Sequence, residues 1–164
     1  MLSKQDEKFI AGASHVATLS PMQNRHGCLV VLNGQTIGSG FNNYRNYSRD
    51  KIISGCLSCH AEISAVRNAI KVEHNERKKM AMLRKMKLYV VRVNERGKYM
   101  DSKPCYHCHC QLRSLGVRCV VYSTGEDSKN DFVNMDLRRH CSANVSTGFR
   151  YILQRAAPLE TITA

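Results

Sequence analysis

The sequence predicts an α/β fold, a mixed sheet with helices on both faces. Three observations carry this expectation. Two β-rich runs meet at Asn33-Gly34, the dipeptide that favours a type I′ hairpin turn. Strand, helix and strand patterns then follow one another between Leu88 and Tyr122, the order of a parallel crossover. Apolar residues at helical spacing recur before the hairpin and again between it and that crossover.

Lys4 to Leu19 reads as the first helix. Ser3 is placed to cap it, acids fall in its early turns, Phe9, Ile10, Ala13 and Ala17 share a face, and Pro21 follows its end. Cys28 to Leu32 and Gln35 to Phe41 are the hairpin strands. From Asn42 to Ser58 no period holds, and Asn43, Ser48, Asp50, Ser54 and Gly55 mark a long loop of the kind that is usually functional or disordered. A second helix starts near Cys59 or His60 and carries Ile63, Val66 and Ile70 inward. Lys71 to Lys87 is strongly basic, with Met80, Leu83 and Met86 as a sparse apolar stripe. Leu88 to Val93 is the third strand, and Asn94 to Gly97 turns the chain. Pro104 is placed as the first residue of a helix, where its missing N–H would be unpaired anyway. That helix runs to about Leu115 and Gly116 ends it. Val117 to Tyr122 is the fourth strand, Asn130 to His140 a fourth helix, and Gly148 to Arg155 a last one.

A chain of 164 residues and 18.6 kDa is expected to form one domain, with its core at about 4–141 and a tail at 142–164. Lys and Arg number 25 against 13 Asp and Glu, a net charge of +12 that favours nucleotides or nucleic acid as partners. Apolar runs are only a few residues long, well short of the roughly 20 of a membrane span. Eight cysteines, with no apolar signal segment over Met1 to Glu7, suggest a reducing cytoplasmic setting. Clustered Cys and His there bind metal more often than they form disulfides.

Two short segments concentrate the chemistry, Cys59-His60-Ala61-Glu62 and Pro104-Cys105-Tyr106-His107-Cys108. His60, Cys105 and Cys108 offer one imidazole and two thiolates, the protein ligand set that leaves a tetrahedral zinc one open position. Cys105 and Cys108 are three apart at a helix start, hence on one face, where free N–H groups and the dipole favour thiolate. His60 and Glu62 are two apart and point to different sides, which suits one ligand and one proton carrier. The competing arrangement is a structural zinc held by Cys56, Cys59, Cys105 and Cys108. Against it stands a gap between the two pairs far larger than the usual 15 to 20 or so residues. Cys56, Cys59 and His109 form a candidate set for a second metal, and Cys28 and Cys119 read as small apolar strand residues.

H-x-E followed by P-C-x-x-C resembles the zinc-dependent cytidine and deoxycytidylate deaminase superfamily, most closely the deoxycytidylate deaminases in style. The resemblance spans roughly Arg25 to Thr124. It implies a three-layer α-β-α fold, a sheet of about five strands, and Zn2+ held between two helix N-termini. It also implies hydrolytic deamination, with Glu62 as the catalytic acid and base. Zinc supplies a water whose pKa falls to roughly 7 from about 15.7. Gly40-Phe41-Asn42 is similar to the Gly-Tyr-Asn of deoxycytidylate deaminases, which implies a sugar contact for Asn42. Ala61, Tyr44 and Arg45 are further candidate substrate contacts, and Tyr44, Arg45, Tyr47 and Arg49 interleave rings with guanidiniums that could stack on bases and pair with phosphate. The tRNA adenosine deaminases are similar too, through His60-Ala61-Glu62-Ile63 and the following Ala65-Val66-Arg67. The expected function is conversion of cytosine to uracil in a free nucleotide or nucleoside, of dCMP or CMP type, by a homo-oligomer. Two alternatives stay open. One is deamination of cytosine or adenine in RNA or single-stranded DNA, with the basic segment from Arg77 to Lys87 on the phosphates. The other is a non-catalytic zinc module that binds nucleic acid, against which an intact Glu62 argues.

Overall fold

A computed structural model describes residues 2–126 and 131–156. Helix α1, Lys4–Thr18, opens on a complete capping box. Ser3 Oγ accepts the Asp6 N–H at 3.1 Å, and the Asp6 carboxylate accepts the Ser3 N–H at 3.0 Å. Strands β1, Arg25–Leu32, and β2, Gln35–Phe41, form the hairpin, with Asn33 and Gly34 both at positive φ in its turn.

Next come α2, Ala61–Ile70; α3, Glu76–Lys85; β3, Lys87–Val93; and β4, Tyr99–Met100. The chain continues with α4, Tyr106–Leu115; β5, Cys119–Ser123; β6, Phe132–Asp136; and α5, Thr147–Ala156. The strands form one mixed sheet in the order β2-β1-β3-β5-β6, with β4 paired to the end of β3. β3 and β5 are parallel and every other pairing is antiparallel. α4 is the helix of that parallel crossover.

Strand alternation divides the core between the two faces. Leu29 and Val31 of β1 meet Tyr89 and Val91 of β3 under Phe9, Ile10, Ala13 and Ala17 of α1. Cys28, Val30, Leu88, Val90 and Val120 turn to the other face, beneath Ala65, Val66 and Ala69 of α2, Leu83 of α3 and Leu112 of α4. The layers are therefore helix, sheet, helix, as the sequence predicts. Small residues set how closely they pack. A Cβ on Gly27 would lie 2.2 Å from the Ala13 carbonyl oxygen, and one on Gly40 would lie 2.4 Å from the Ala65 nitrogen. Asp6 fastens the start of α1 to the sheet, accepting bonds from Lys87 Nζ at 2.8 Å and Tyr89 Oη at 2.5 Å.

Two expectations change, at the predicted fourth helix and at Pro104, and the basic segment gains a defined element. Phe132–Asp136, inside the segment expected as a fourth helix, is a strand antiparallel to β5, and Asn130 lies outside the described residues. Met135 pairs with Val120 and is buried, so sheet pairing overrides the helical spacing of Val133 and Leu137. The basic segment holds α3, capped by Asn75, whose side chain accepts the Lys78 N–H. Pro104 precedes the cap of α4 instead of opening the helix, because Cys105 takes extended backbone angles. Among the described residues no helix is long and apolar enough to cross a membrane.

Candidate active site

Two of the three predicted metal ligands are helix N-caps. His60 caps α2 in extended conformation (φ −77°, ψ 156°), and its side chain makes no capping bond. The ring reaches across to α4 instead, placing Nδ1 3.1 Å from Cys108 Sγ and 3.5 Å from Cys105 Sγ. Cys105 caps α4 and its sulfur accepts the Cys108 N–H at 3.4 Å, so the first turn holds both sulfurs on one side. The three ligating atoms lie within 4.8 Å of one another. Zinc bonds of roughly 2.0 Å to nitrogen and 2.3 Å to sulfur place tetrahedral ligand atoms at about such separations, so one imidazole and two sulfurs fit a zinc ion.

The electrostatics suit a cation. The hydrogen bond from Cys108, reinforced by His60, lowers the Cys105 thiol to about 3, while the same bond and burial push Cys108 up. Burial pulls His60 down, but its bond to Cys105 and the charge of Glu62 outweigh that and leave it raised. Glu62 lies in the first turn of α2 and is 4 % exposed. Burial raises its carboxyl, the attraction of His60 opposes the rise, and the net shift is upward, the direction a group that both takes and gives protons requires.

A cleft of about 370 Å³ opens beside this group, and His60, Glu62 and Cys105 line it together with Ala61 and Asn42. The Asn42 carboxamide is fully engaged. Its Oδ1 accepts from Ser20 Oγ at 2.7 Å and from the His26 N–H at 2.8 Å. Its Nδ2 donates to the Asn24 carbonyl at 2.6 Å and reaches Met22 sulfur at 3.3 Å.

Tyr44 and Arg45 are not brought to the cleft. Tyr44 is 68 % exposed, neither residue lines the cleft, and the loop that carries them is held by its own bonds. Asn43 bridges Cys59, Ser48 exchanges backbone and hydroxyl bonds with Ile53, and Asp50 pairs with Arg67 at 2.7 Å. Hydrogen bonding at its polar turn residues orders this loop.

Among the described residues, His60, Cys105 and Cys108 are the one group of three metal-ligating side chains that converge, so Cys56, Cys59 and His109 form no second centre of that kind. Cys59 is buried in the α2 core with its thiol toward the His60 carbonyl, and Cys56 is half-buried. The His109 ring is buried with neither nitrogen bonded.

Sequence reasoning missed the outer wall of the cleft. Asn144 to Gly148 and Arg150 line it, anchored where the Asn144 carbonyl accepts the Tyr106 N–H at 2.7 Å. Phe149 stacks on His107 beside the metal ligands. His26, Arg92 and Lys103 line other parts of the same cleft.

A ligand triad at two helix N-termini with a buried carboxyl beside it defines a zinc hydrolase site of the base-deaminating class. The chain belongs to the cytidine and deoxycytidylate deaminase family: the model of that family's zinc-binding region matches residues 3–124. Solved structures share the fold. The dCMP deaminase of cyanophage S-TIM5 in apo form superposes with a TM-score of 0.54 at 17 % identity, over 94 % of each chain. The same enzyme in complex with dCMP and dUMP gives 0.51 at 19 % identity, over 76 % of this chain and 84 % of that one. Cytidine deaminase from Burkholderia pseudomallei gives 0.55 at 17 % identity, over 83 % and 94 %. No curated protein matches by sequence. The protein is accordingly a zinc-dependent hydrolase of the deaminase family.

Proposed function

We propose that the protein converts the cytosine of a free nucleotide, of dCMP or CMP type, to uracil. One observation carries the choice of an anionic, single-nucleotide substrate. Arg92, Lys103 and Arg150 share the cleft with Glu62, and none is ion-paired with a carboxylate among the described residues. A volume of about 370 Å³ falls in the range of roughly 300 to 1,000 Å³ typical of small-molecule pockets.

His60, Cys105 and Cys108 would hold the zinc, which supplies Lewis acidity and a water acidic enough to ionise near neutral pH. Glu62 takes a proton from the attacking water and passes it to the ring nitrogen of the base. Oxygen bonds to the amine-bearing carbon, Glu62 takes the remaining proton of that new hydroxyl and delivers it to the departing nitrogen, and the carbon–nitrogen bond breaks as the carbonyl forms. One water is consumed, one ammonia is released, and Glu62 ends in its starting state. The cap positions of His60 and Cys105 hold the ligands, and the wall from Asn144 to Arg150 limits access of bulk water.

The test is ammonia release from dCMP, CMP, deoxycytidine, cytidine and a cytosine-bearing oligonucleotide, with Glu62→Gln as control. The expected result is turnover of a monophosphate and loss of it in the variant. Silence on every monomer with conversion of the oligonucleotide overturns this reading in favour of a polymer substrate. The exposed Tyr44 and Tyr47, 68 % and 62 % accessible outside the cleft, favour that second reading.

A further inference from the structure

His26 stands where two apolar rows of the sheet turn polar. In β1 the row facing α2 runs Val30, Cys28, His26, and in β3 the matching row runs Leu88, Val90, Arg92. His26 and Arg92 are cross-strand partners, and both line the cleft that holds Glu62. Neither has the apolar character of the rows they end, so this register marks the floor where the core gives way to the site.

The backbone of His26 is held by the engaged amide of Asn42. Its N–H donates to Asn42 Oδ1 at 2.8 Å, and its carbonyl accepts the Asn42 N–H at 3.2 Å. The Asn42 carboxamide thereby ties the strand ends together and fixes the His26 backbone at the cleft. The ring of His26 is fixed too. Nδ1 lies 3.1 Å from the Asn24 carbonyl oxygen, which can only accept, so Nδ1 carries the hydrogen. Burial pushes this imidazole down to about 4, with Arg92 adding to the effect, so the ring is neutral at physiological pH. In that tautomer Nε2 is a lone-pair acceptor, and it has no partner among the described residues.

We propose that His26 is a specificity-determining substrate contact whose Nε2 accepts a hydrogen bond from a hydroxyl of the substrate's sugar. The proposal rests on the free-nucleotide reading above. The charged side chains of the cleft are the carboxylates Glu62 and Asp101 and the basic Arg92, Lys103 and Arg150, and the basic groups suit anionic oxygens, which donate nothing to an acceptor. A cytosine nucleotide offers a neutral imidazole nitrogen two kinds of donor, the amine of the base and the hydroxyls of the sugar; the reaction commits the amine to Glu62, which leaves a hydroxyl for His26. A polynucleotide strand has its 3′ oxygen esterified, so a contact to the 3′ hydroxyl favours a monomer over a polymer, whereas a contact to the 2′ hydroxyl favours ribose over deoxyribose.

The experiment compares kcat/KM for CMP, dCMP and 2′,3′-dideoxycytidine 5′-monophosphate in the wild type, His26→Ala and His26→Gln, with zinc content measured for each protein. The wild type is expected to favour a hydroxyl-bearing nucleotide over the dideoxy compound by about tenfold, the worth of one such hydrogen bond. His26→Ala loses that preference, falling about tenfold further on the hydroxyl-bearing nucleotide than on the dideoxy compound, and His26→Gln, which keeps an acceptor, restores most of it. The step at which preference appears, between CMP and dCMP or between dCMP and the dideoxy compound, identifies the 2′ or the 3′ hydroxyl as donor. A wild type that turns over all three equally overturns the inference without recourse to any variant. So does an equal loss on all three in His26→Ala. Silence of the wild type on every free nucleotide removes the functional reading and this inference together.

Discussion

The imidazole of His107 lies flat against the ring of Phe149, with centroids 4.7 Å apart and planes 11° from parallel. This contact joins the first turn of α4 to α5 and so seats the outer wall of the cleft beside the metal ligands. Phe149→Ala is expected to loosen that wall. Steady-state kinetics should show KM rising by about tenfold with a smaller change in kcat, while zinc content is retained, the pattern of lost substrate binding.

Glu62→Gln keeps the shape of the side chain and removes its ability to take a proton. Turnover should fall by roughly 10²- to 10⁴-fold. Metal analysis of the same protein should still find zinc, because the ligands are His60, Cys105 and Cys108. Retained activity in this variant would take Glu62 out of the proton path.

Metal content should be one zinc per chain, since one group of three ligating side chains converges among the described residues. Chelation should abolish activity and added zinc should restore it. Cys108→Ala should not hold the metal, whereas Cys56→Ser should hold it as the wild type does. Two zinc ions per chain, one of them lost on changing Cys56, would require a second centre.

The two tight glycines should separate stability from activity. A methyl at Gly27 meets the backbone of α1 and a methyl at Gly40 meets that of α2, so Gly27→Ala and Gly40→Ala should each cost about 3 kcal/mol in denaturant unfolding. α2 carries His60 and Glu62 at its start. Under conditions where both variants are folded, Gly40→Ala should therefore show the larger loss of specific activity.

Asp6 gives a dependence on pH. Burial alone would raise its carboxyl, but bonds from Lys87, Ser3 and Tyr89 outweigh burial and hold it well below the ordinary carboxylate range. A depressed folded-state value means that the ionised group stabilises the fold above the unfolded value near 4, and that this contribution is lost as pH falls below it. Asp6→Asn should thus unfold about 1 kcal/mol more easily than wild type at pH 7. The gap should narrow steadily below about pH 4 in denaturant titrations.

The parts legible in the sequence are those whose causes are local. Asn33-Gly34 dictates its turn, Ser3 and Asp6 dictate the entry to α1, and Cys105 and Cys108 share a face of one helical turn. His60, although 45 residues before Cys105, is legible through the resemblance carried by the H-x-E pattern. What escaped depends on partners distant in the chain. Val133 and Leu137 fit a helix by spacing, and the antiparallel pairing with β5 decides against it. Asn42 lines the cleft as the resemblance implies, but the bonds that Ser20, Met22, Asn24 and His26 make with its carboxamide were not legible in the sequence. Tyr44 and Arg45 carry suitable chemistry, yet in the folded loop neither lines the cleft.

The register of β1 against β2 shifts between Val30 and Val31. β2 is the edge of the sheet in the described residues, and such an edge presents free backbone groups to any other extended chain. The extra residue, Ile37, lies in β2 itself between Thr36 and Gly38 and bends and twists that strand, so the edge is a poor template for a regular incoming strand. The irregularity thus protects a strongly basic protein against stacking edge to edge at high concentration, a safeguard that leaves the residues of the cleft untouched.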